Sequence, residues 1–281
     1  KTYIDMVLNS GQYELESDFK YVWSENNKYG KEMIFALLHE TGNNAAEIAC
    51  HFGPSDHPEV PGRWQYYGVS LPFWRSYDKE DPRREFFYYD YTGDAKRDDQ
   101  SDYGFHYMVP EEGVTVVPND TTKYMQNVAT MKYTYDMISD AYYDGRTICI
   151  FRLSDVILCK AEIENNLNGP AAALPYLNQI RARAGAPEYG KHNRFPAPST
   201  KETMNDAILK ERGYELVFEF QRRADLIRFG KYEEVINAHL KKLGIAQPTN
   251  VTSSLRYFPY PLNDAQLNPN LAAENPSRLP K

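Results

Sequence analysis

Aromatic side chains are concentrated in the segment 64–107, where 14 of 44 residues are Trp, Tyr or Phe. Flat rings can bury the apolar C–H faces of sugars while the hydroxyls keep polar partners. Packing in the core explains most of these rings when each is taken singly. It is the weakest explanation for the first three rings of the segment, Trp64, Tyr66 and Tyr67. They follow the Gly- and Pro-rich stretch 40–62, whose backbone is poorly suited to burial. We therefore predict a ligand-binding surface from these rings and their polar neighbours: Trp64, Tyr66, Tyr67, Arg63 and Gln65.

Acidic side chains and histidines nearby raise the question of a metal ion. Five aspartates stand close together: Asp90, Asp94, Asp98, Asp99 and Asp102. Such oxygen ligands could hold calcium, but their spacing differs from the EF-hand loop and favours a solvated turn. His51 and His57 flank a turn with Asp56, yet they lack the i, i+4 spacing of a helical metal site. We predict no metal centre and no cofactor, with calcium at the acidic loop as the alternative.

The stretch 211–230, ERGYELVFEFQRRADLIRFG, predicts one amphipathic helix with unusually many charges. Solvated ion pairs on such a face contribute about 0.2–0.5 kcal/mol each. We instead expect a partly buried network that holds this helix against the preceding helical hairpin. It would comprise Arg152, Asp155, Glu211, Glu215, Arg223 and Asp225.

This stretch, E-R-x-x-E-L-x-F-E-x-x-R-x-x-D-L-x-R-x-G, resembles the C-terminal signature of the SusD/RagB family. The members of this family are cell-surface, nutrient-binding lipoproteins of the outer membrane of Bacteroidota. Six further segments resemble the family in the same order and cover nearly the whole chain: Ile4–Leu15, Glu32–Ala36, Ser76–Arg84, Phe151–Glu162, Leu177–Pro187 and Tyr257–Pro276.

The resemblance implies a mainly α fold, with tetratricopeptide-like helical hairpins, long irregular aromatic-rich loops and a few short strands. It assigns Phe73, Trp74 and Tyr77 to the core, because they match apolar positions before the family's DPR turn. It implies non-catalytic binding of a glycan, an oligo- or polysaccharide, at the cell surface. It also implies a TonB-dependent, SusC-like outer-membrane transporter as the partner that receives the glycan.

Family members are considerably longer than 281 residues and begin with a lipoprotein signal and a lipidated cysteine. We therefore interpret the chain as a C-terminal portion, with a loop-rich ligand-binding region (1–145), a helical scaffold (146–246) and an extended tail (247–281). The N-terminal half and the signal would be absent, so the membrane would be reached only through a lipid anchor outside this chain. A net charge of −7 without a long basic run argues against nucleic acid.

Apolar periodicity and Gly and Pro breakers predict the principal elements: helices 1–9, 153–167, 170–184, 199–229 and 231–243, and strands 33–38 and 114–118. Ser199 and Glu202 indicate a capping box for the long helix. A disulfide between Cys149 and Cys159 is disfavoured, because few residues separate them.

Two alternatives from other classes stay open. One is a peptide- or protein-binding scaffold, since tetratricopeptide grooves bind peptides. The other is a glycoside hydrolase, for which Glu111–Glu112 or Glu215–Glu219 could be nominated as the carboxylate pair. The chain lacks the G-x-S-x-G, G-x-G-x-x-G and H-E-x-x-H motifs. We therefore predict a binding protein that is not an enzyme, and the identity of its ligand stays open.

Overall fold

The computed structural model describes residues 1–40, 47–60, 62–93, 104–113, 122–136, 145–244 and 251–270. The chain divides into two compact units, Lys1–Glu219 and Phe220–Lys281. The helices are α1 (Thr2–Asn9), α2 (Ile48–Phe52), α3 (Leu71–Trp74), α4 (Leu153–Asn168), α5 (Pro170–Arg183), α6 (Lys201–Glu215), α7 (Arg222–Arg228), α8 (Tyr232–Lys242) and α9 (Leu262–Leu267). The strands are β1 (Met33–Leu37), β2 (Val69–Ser70), β3 (Phe87–Tyr88), β4 (Asp90–Thr92), β5 (His106–Met108), β6 (Thr122–Tyr124), β7 (Asn127–Thr130) and β8 (Ile148–Arg152).

The helical hairpin of α4 and α5 forms the scaffold of the first unit, and α6 packs against both helices. Gly169 turns the chain between them with a positive φ of 90°, and Pro170 takes the first helical position, where its missing N–H costs nothing. Leu158, Leu177 and Ile208, one from each helix, are fully buried. The predicted hairpin is therefore confirmed within one residue at each boundary.

The residues between α1 and β8 form the irregular half of the first unit, and one pair of short strands attaches this half to the scaffold. Strand β1 pairs antiparallel with β8, which runs directly into α4. Strand β7 lies between β2 and β3, and β5 lies between β4 and β6. The predicted strand 33–38 is confirmed as β1, whereas the predicted strand 114–118 lies outside the described residues.

The aromatic segment 64–107 contributes many residues to one hydrophobic cluster of the first unit and Phe86 to a second. Trp74 and Tyr77 are buried in one of them, and Phe73 packs against it, as predicted from their positions before the DPR turn. The second cluster includes Phe52, Phe86 and other residues of the irregular half. Most rings of this segment therefore serve the core, and the few exposed ones stand out.

The prediction of one long helix from 199 to 229 is wrong. Helix α6 ends at Glu215, where the backbone carbonyl accepts hydrogen bonds from Lys132 Nζ (2.8 Å) and Arg152 Nη2 (2.9 Å). The N–H of Glu219 would take this carbonyl in a continuous helix, but it bonds to Leu216 O instead (3.0 Å). Two buried cations thus compete successfully for the helical acceptor. A separate helix, α7, begins seven residues later, at Arg222.

The N-terminus of α6 also differs by one residue from the prediction. Thr200, rather than Ser199, is the N-cap, and it forms a reciprocal capping box with Thr203. Both threonines offer a hydroxyl that accepts and donates, so the box forms without the predicted Glu202.

The predicted helix 231–243 is confirmed as α8. Within the described residues, no helix is long and apolar enough to cross a membrane.

Candidate ligand-binding surface and the buried ionic network

The loop that carries the predicted ligand-binding residues lies against helix α2. The N–H of Trp64 donates to Cys50 O (2.8 Å), and the N–H of Tyr67 donates to His51 O (3.1 Å). These bonds satisfy carbonyls at the end of a very short helix. They hold the backbone of the loop against α2, so the side chains of the loop project from a fixed backbone.

Three exposed rings surround one histidine, and we call Trp64, Tyr66, Tyr67 and His51 the aromatic surface. The exposed fractions of the Trp64, Tyr66 and Tyr67 side chains are 37%, 65% and 55%. The His51 ring centroid lies 5.3 Å from Trp64, 5.4 Å from Tyr66 and 6.2 Å from Tyr67. Trp64 and Tyr66 are themselves 5.4 Å apart and inclined by 35°. The structure therefore brings the three predicted rings together around a common neighbour.

Gln65 lies between Trp64 and Tyr66 in the sequence and fixes the loop through its own side chain. Its backbone has a positive φ of 48°, and its side chain accepts from Ser55 N and donates to Asn127 Oδ1, both at 3.2 Å. A Cβ on Gly68 would come within 2.1 Å of Asn127 Oδ1, so a larger residue there would displace the Asn127 side chain that Gln65 binds. Gln65 thus couples the loop to strand β7, and these contacts occupy its amide.

The structure places Arg63 beneath the aromatic surface rather than in it. Its side chain is fully buried, and its Nη1 donates to Cys50 Sγ at 3.5 Å. Gly53 also lies close to it, since an added Cβ there would be 2.8 Å from Arg63 Cγ. Because a ligand cannot reach a fully buried side chain, we correct the expected role of Arg63 from ligand contact to support.

His51 is the member of the aromatic surface that the sequence does not predict to bind ligand; the sequence raises His51 only as a metal ligand with His57 and Asp56, and their spacing disfavours that site. The two histidines lie in separate environments. His57 packs its ring against Tyr88 and Tyr91 at 4.7 and 4.8 Å, and burial lowers its pKa. His51 faces Glu47, with Nε2 3.5 Å from Oε2. A helix predicted over 48–52 could have indicated which way the His51 side chain points. The contact between His51 and Trp64 could not be predicted, because it depends on how the loop folds back onto α2.

Metal-binding geometry is absent from the part of the chain that the structure describes: no three His, Cys, Asp or Glu side chains come together there in a suitable group. Of the predicted acidic loop, only Asp90 is described, and its Oδ1 lies 2.6 Å from His106 Nε2. Residues 94–103 lie outside the described residues, so calcium at this loop stays a prediction. The three cysteines are free thiols.

A second feature, the buried ionic network, lies between α6, β8 and the irregular half of the first unit. Its members are Glu32, Asp81, Arg83, Lys132, Arg152, Arg181, Arg183, Glu211, Glu215 and Glu219. Arg152 is fully buried and donates to Glu219 Oε2 (2.7 Å), Glu32 Oε1 (2.6 Å) and Glu215 Oε1 (2.7 Å). Lys132 Nζ donates to Glu219 Oε1 at 2.6 Å. These bonds join β8 and α6 to residues 32 and 132 of the irregular half.

Arg83 extends the network to the DPR turn. Its guanidinium donates to both carboxylate oxygens of Asp81 (3.0 and 2.8 Å), to Glu211 Oε1 (2.6 Å) and to Glu215 Oε2 (3.0 Å). Arg181 of α5 donates to the other oxygen of Glu211 at 2.7 Å. Two carboxylates on one face of α6 therefore hold the turn and the hairpin together.

Opposite charges decide the protonation states in this network. Burial alone would raise the pKa of Glu215, but Arg183, Arg152 and Arg83 outweigh burial and hold it well below its usual range. Burial lowers the pKa of Lys132 to about 8, and Glu219 only partly offsets this. Glu215 is therefore a permanent anion near neutral pH. It cannot supply the proton that a glycosidase acid must donate.

The expected composition of the network is partly wrong. Arg152, Glu211 and Glu215 belong to it, and Asp155 binds α6 separately, through Arg212 Nη1 at 2.7 Å. Arg223 and Asp225 belong to the second unit, because the chain leaves the helix at Glu215. There Arg223 donates to the carbonyl of Leu255 (2.7 Å), and Asp225 pairs with Arg228 (2.9 Å). Apart from Glu219, the missed members lie far from α6 in sequence, where helical spacing gives no signal.

Solved structures of known proteins share this fold. A surface glycan-binding protein A from Bacteroides thetaiotaomicron in complex with laminarihexaose gives a TM-score of 0.64 at 22% identity, over 95% of this chain and 56% of that chain. A SusD superfamily protein from Parabacteroides distasonis gives 0.68 at 21% identity, over 95% and 54%. The predicted mainly α, tetratricopeptide-like fold is confirmed.

Sequence comparison finds related proteins with partial coverage. SusD-like protein P25 of Formosa agariphila is 38% identical over 120 residues, 43% of this chain and 22% of that protein. SusD-like protein P2 of the same organism is 24% identical over 290 residues, covering 96% and 54%. Starch-binding protein SusD of Bacteroides thetaiotaomicron is 28% identical over 137 residues, covering 48% and 22%. The chain thus spans about half or less of the length of these relatives. A model of the SusD family matches residues 31–277, and the chain therefore belongs to the SusD family.

Proposed function

We propose that this chain binds a neutral glycan non-catalytically through the aromatic surface. The observation that carries the proposal is the grouping of three exposed rings around His51 on a backbone that is itself hydrogen-bonded in place. Rings that are already ordered lose little side-chain entropy when a ligand binds. Sugar C–H faces lie on Trp64 and Tyr66, and the Tyr67 hydroxyl is a donor and acceptor for sugar hydroxyls.

The names of relatives support a glycan as the ligand. One solved structure with this fold holds laminarihexaose, another is a laminarin-binding SusD-like protein, and one curated relative is a starch-binding protein. These ligands are uncharged glucans. Glu47 lies beside the aromatic surface, with Oε2 3.5 Å from His51 Nε2, and its carboxylate would repel an anionic glycan.

The whole protein, by this proposal, is a lipid-anchored protein of the cell outer membrane that passes its glycan to a SusC-like, TonB-dependent transporter. Family membership supports these roles. The pair Glu215–Glu219 argues for binding rather than hydrolysis, because buried cations bind both carboxylates. Incubation with laminarin followed by product analysis tests this point, and release of shorter sugars would contradict it.

Calorimetric titration with laminarihexaose, maltohexaose and a peptide of matched length tests the ligand class. We expect heat of binding with at least one hexasaccharide and a loss of that heat in the variant Trp64→Ala. Binding of the peptide alone would support the alternative, a peptide-binding scaffold. Binding of a sugar that Trp64→Ala leaves unchanged would move the site away from the aromatic surface.

A further inference from the structure

A pocket separate from the aromatic surface lies between helix α6 and the loop that joins it to α5. We call it the loop–helix pocket. Its volume is about 590 Å³, within the range of about 300–1,000 Å³ that is typical of ligand sites. Residues that line it include Tyr189, Phe195, Pro196, Pro198, Asp206 and Lys210.

The aromatic wall of this pocket is rigidly built. Tyr189 and Phe195 meet edge to face, with centroids 5.6 Å apart, and the Arg181 guanidinium lies 4.8 Å from both rings. Arg181 is buried and is held by Glu211, so the wall is attached to the buried ionic network. Asn178 adds a pair of hydrogen bonds to the backbone of Tyr189, at 2.8 and 2.9 Å. A preformed wall of this kind adds little ordering cost to ligand binding.

The polar rim of the pocket carries both donors and acceptors without a surplus of positive charge. Arg194 is paired with Asp78 (2.8 Å) and with Glu80 (2.6 Å). Asp206 and Lys210 are exposed and stand four residues apart on α6, so they share one face of that helix. Apolar walls with a balanced polar rim suit an uncharged ligand that has apolar faces and many hydroxyls.

We propose that the loop–helix pocket is a second contact site for a neutral oligosaccharide. A sugar ring packs on Phe195 and Tyr189, and its hydroxyls bond with Asp206 and Lys210. The choice of sugar as the ligand rests on the proposed function, whereas the existence of the site does not involve the aromatic surface. Two sites on one chain would let a long glycan bind more tightly than either site alone, provided that it can reach both.

Saturation-transfer NMR tests the site with laminarihexaose and maltohexaose as probes. The double variant Trp64→Ala/Tyr66→Ala removes the aromatic surface. We expect residual transfer to a hexasaccharide in this double variant, and at least a fivefold loss of it when Ala197→Trp fills the pocket. The matched control is Asn193→Trp, since Asn193 is exposed in the same loop and does not line the pocket. If Ala197→Trp lowers the melting temperature, Lys210→Ala replaces it, and at least a twofold loss is expected.

Each outcome separates the two proposals. Transfer that disappears completely in the double variant, or that survives both Ala197→Trp and Lys210→Ala, overturns the second site and leaves the aromatic surface intact. A wild-type chain that gives no transfer with either sugar overturns the proposed function together with the second site. A proline-rich peptide serves as a further probe. If the peptide shows transfer that Ala197→Trp abolishes, while sugar transfer is unaffected, the pocket is a peptide site and the proposal is wrong.

Discussion

The aromatic surface and the buried ionic network use polar and aromatic groups in opposite ways. In the network, carboxylates and cations are removed from water, and each is matched by an opposite charge within about 3 Å. In the aromatic surface, large rings are left in water, although burying them would stabilise the fold. Both arrangements forgo stability that a simpler residue choice would supply. The difference is that the network fixes one arrangement of the backbone, whereas the surface keeps apolar area available.

The network explains how irregular backbone can carry an ordered surface. Arg152 and Lys132 end helix α6 by taking the carbonyl of Glu215, and Arg83 binds the DPR turn to the same helix. Segments with little regular structure are thereby attached to the helical scaffold at several points. The loop at Trp64 needs only local bonds to α2 and β7 after that. A division of labour follows, in which changes in the network alter stability and changes in the surface alter ligand affinity.

The largest expected effect is that of Glu215→Ala. It leaves Arg152, Arg183 and Arg83 without a shared partner in the core, and an uncompensated buried charge costs about 3–5 kcal/mol. We expect a loss of this size in the free energy of unfolding, measured by urea denaturation. Glu202→Ala on the exposed side of the same helix is the control and should change it by less than about 0.5 kcal/mol. If the two substitutions had equal effects, the buried ionic network would contribute no more to stability than an exposed charge, and its proposed role would be wrong.

The second-largest expected effect is the loss of stability from the buried ionic network at acidic pH. The pKa of Glu215 is lower in the folded protein than its unfolded value of about 4.3, so the unfolded chain binds the proton more readily. Stability from this carboxylate is therefore present above about pH 4.3 and is lost as the pH falls below that value. We expect a loss on the order of 2 kcal/mol between pH 5 and pH 3 in the wild type. Glu215→Gln should flatten this part of the curve, and Glu202→Gln should not.

Trp64→Ala should act on affinity instead of stability. A stacked ring contributes about 0.5–1.5 kcal/mol beyond its buried area, so we expect about tenfold weaker binding of the hexasaccharide that the wild type prefers. The melting temperature should shift by less than about 2 °C, because the side chain is already partly in water. Tyr29→Ala, at an exposed ring outside the aromatic surface, should alter neither quantity. Unfolding of Trp64→Ala would show that this ring serves the core.

The smallest effect is expected for His51, which touches all three rings without being the principal stacking platform. His51→Ala should weaken sugar binding about threefold, or ~0.7 kcal/mol, because the rings lose their common support. His51→Phe keeps a ring at this position and should restore most of the affinity. A purely structural role would lower the melting temperature of His51→Ala without changing the affinity of the folded fraction, and titration measures the two separately.

The helical scaffold could be predicted because its signals are local. Gly169–Pro170 and the apolar periodicity on either side define α4 and α5, and the structure agrees within a residue. The end of α6 could not be predicted, since the residues that end it, Lys132 and Arg152, lie more than 60 positions earlier in the chain. The apolar periodicity continues through 216–227, but the helix does not, because Lys132 and Arg152 bond to the carbonyl of Glu215.

The candidate site shows the same limit. The exposure of Trp64, Tyr66 and Tyr67 could be anticipated from the Gly- and Pro-rich stretch before them. The burial of Arg63 and the contact with His51 could not, because both depend on how α2 packs against the loop. An arginine beside an exposed tryptophan has the same local sequence whether it points outward or into the core.

The most direct test of the division between the two regions is one titration series with laminarihexaose and maltohexaose. It compares the wild type with the double variant Trp64→Ala/Tyr66→Ala, and the melting temperature of each protein is measured alongside. We predict that the double variant keeps the wild-type melting temperature within about 2 °C and loses at least tenfold in affinity for the preferred sugar. Unchanged affinity in a folded double variant would contradict the account, because the exposed rings would then have no part in binding.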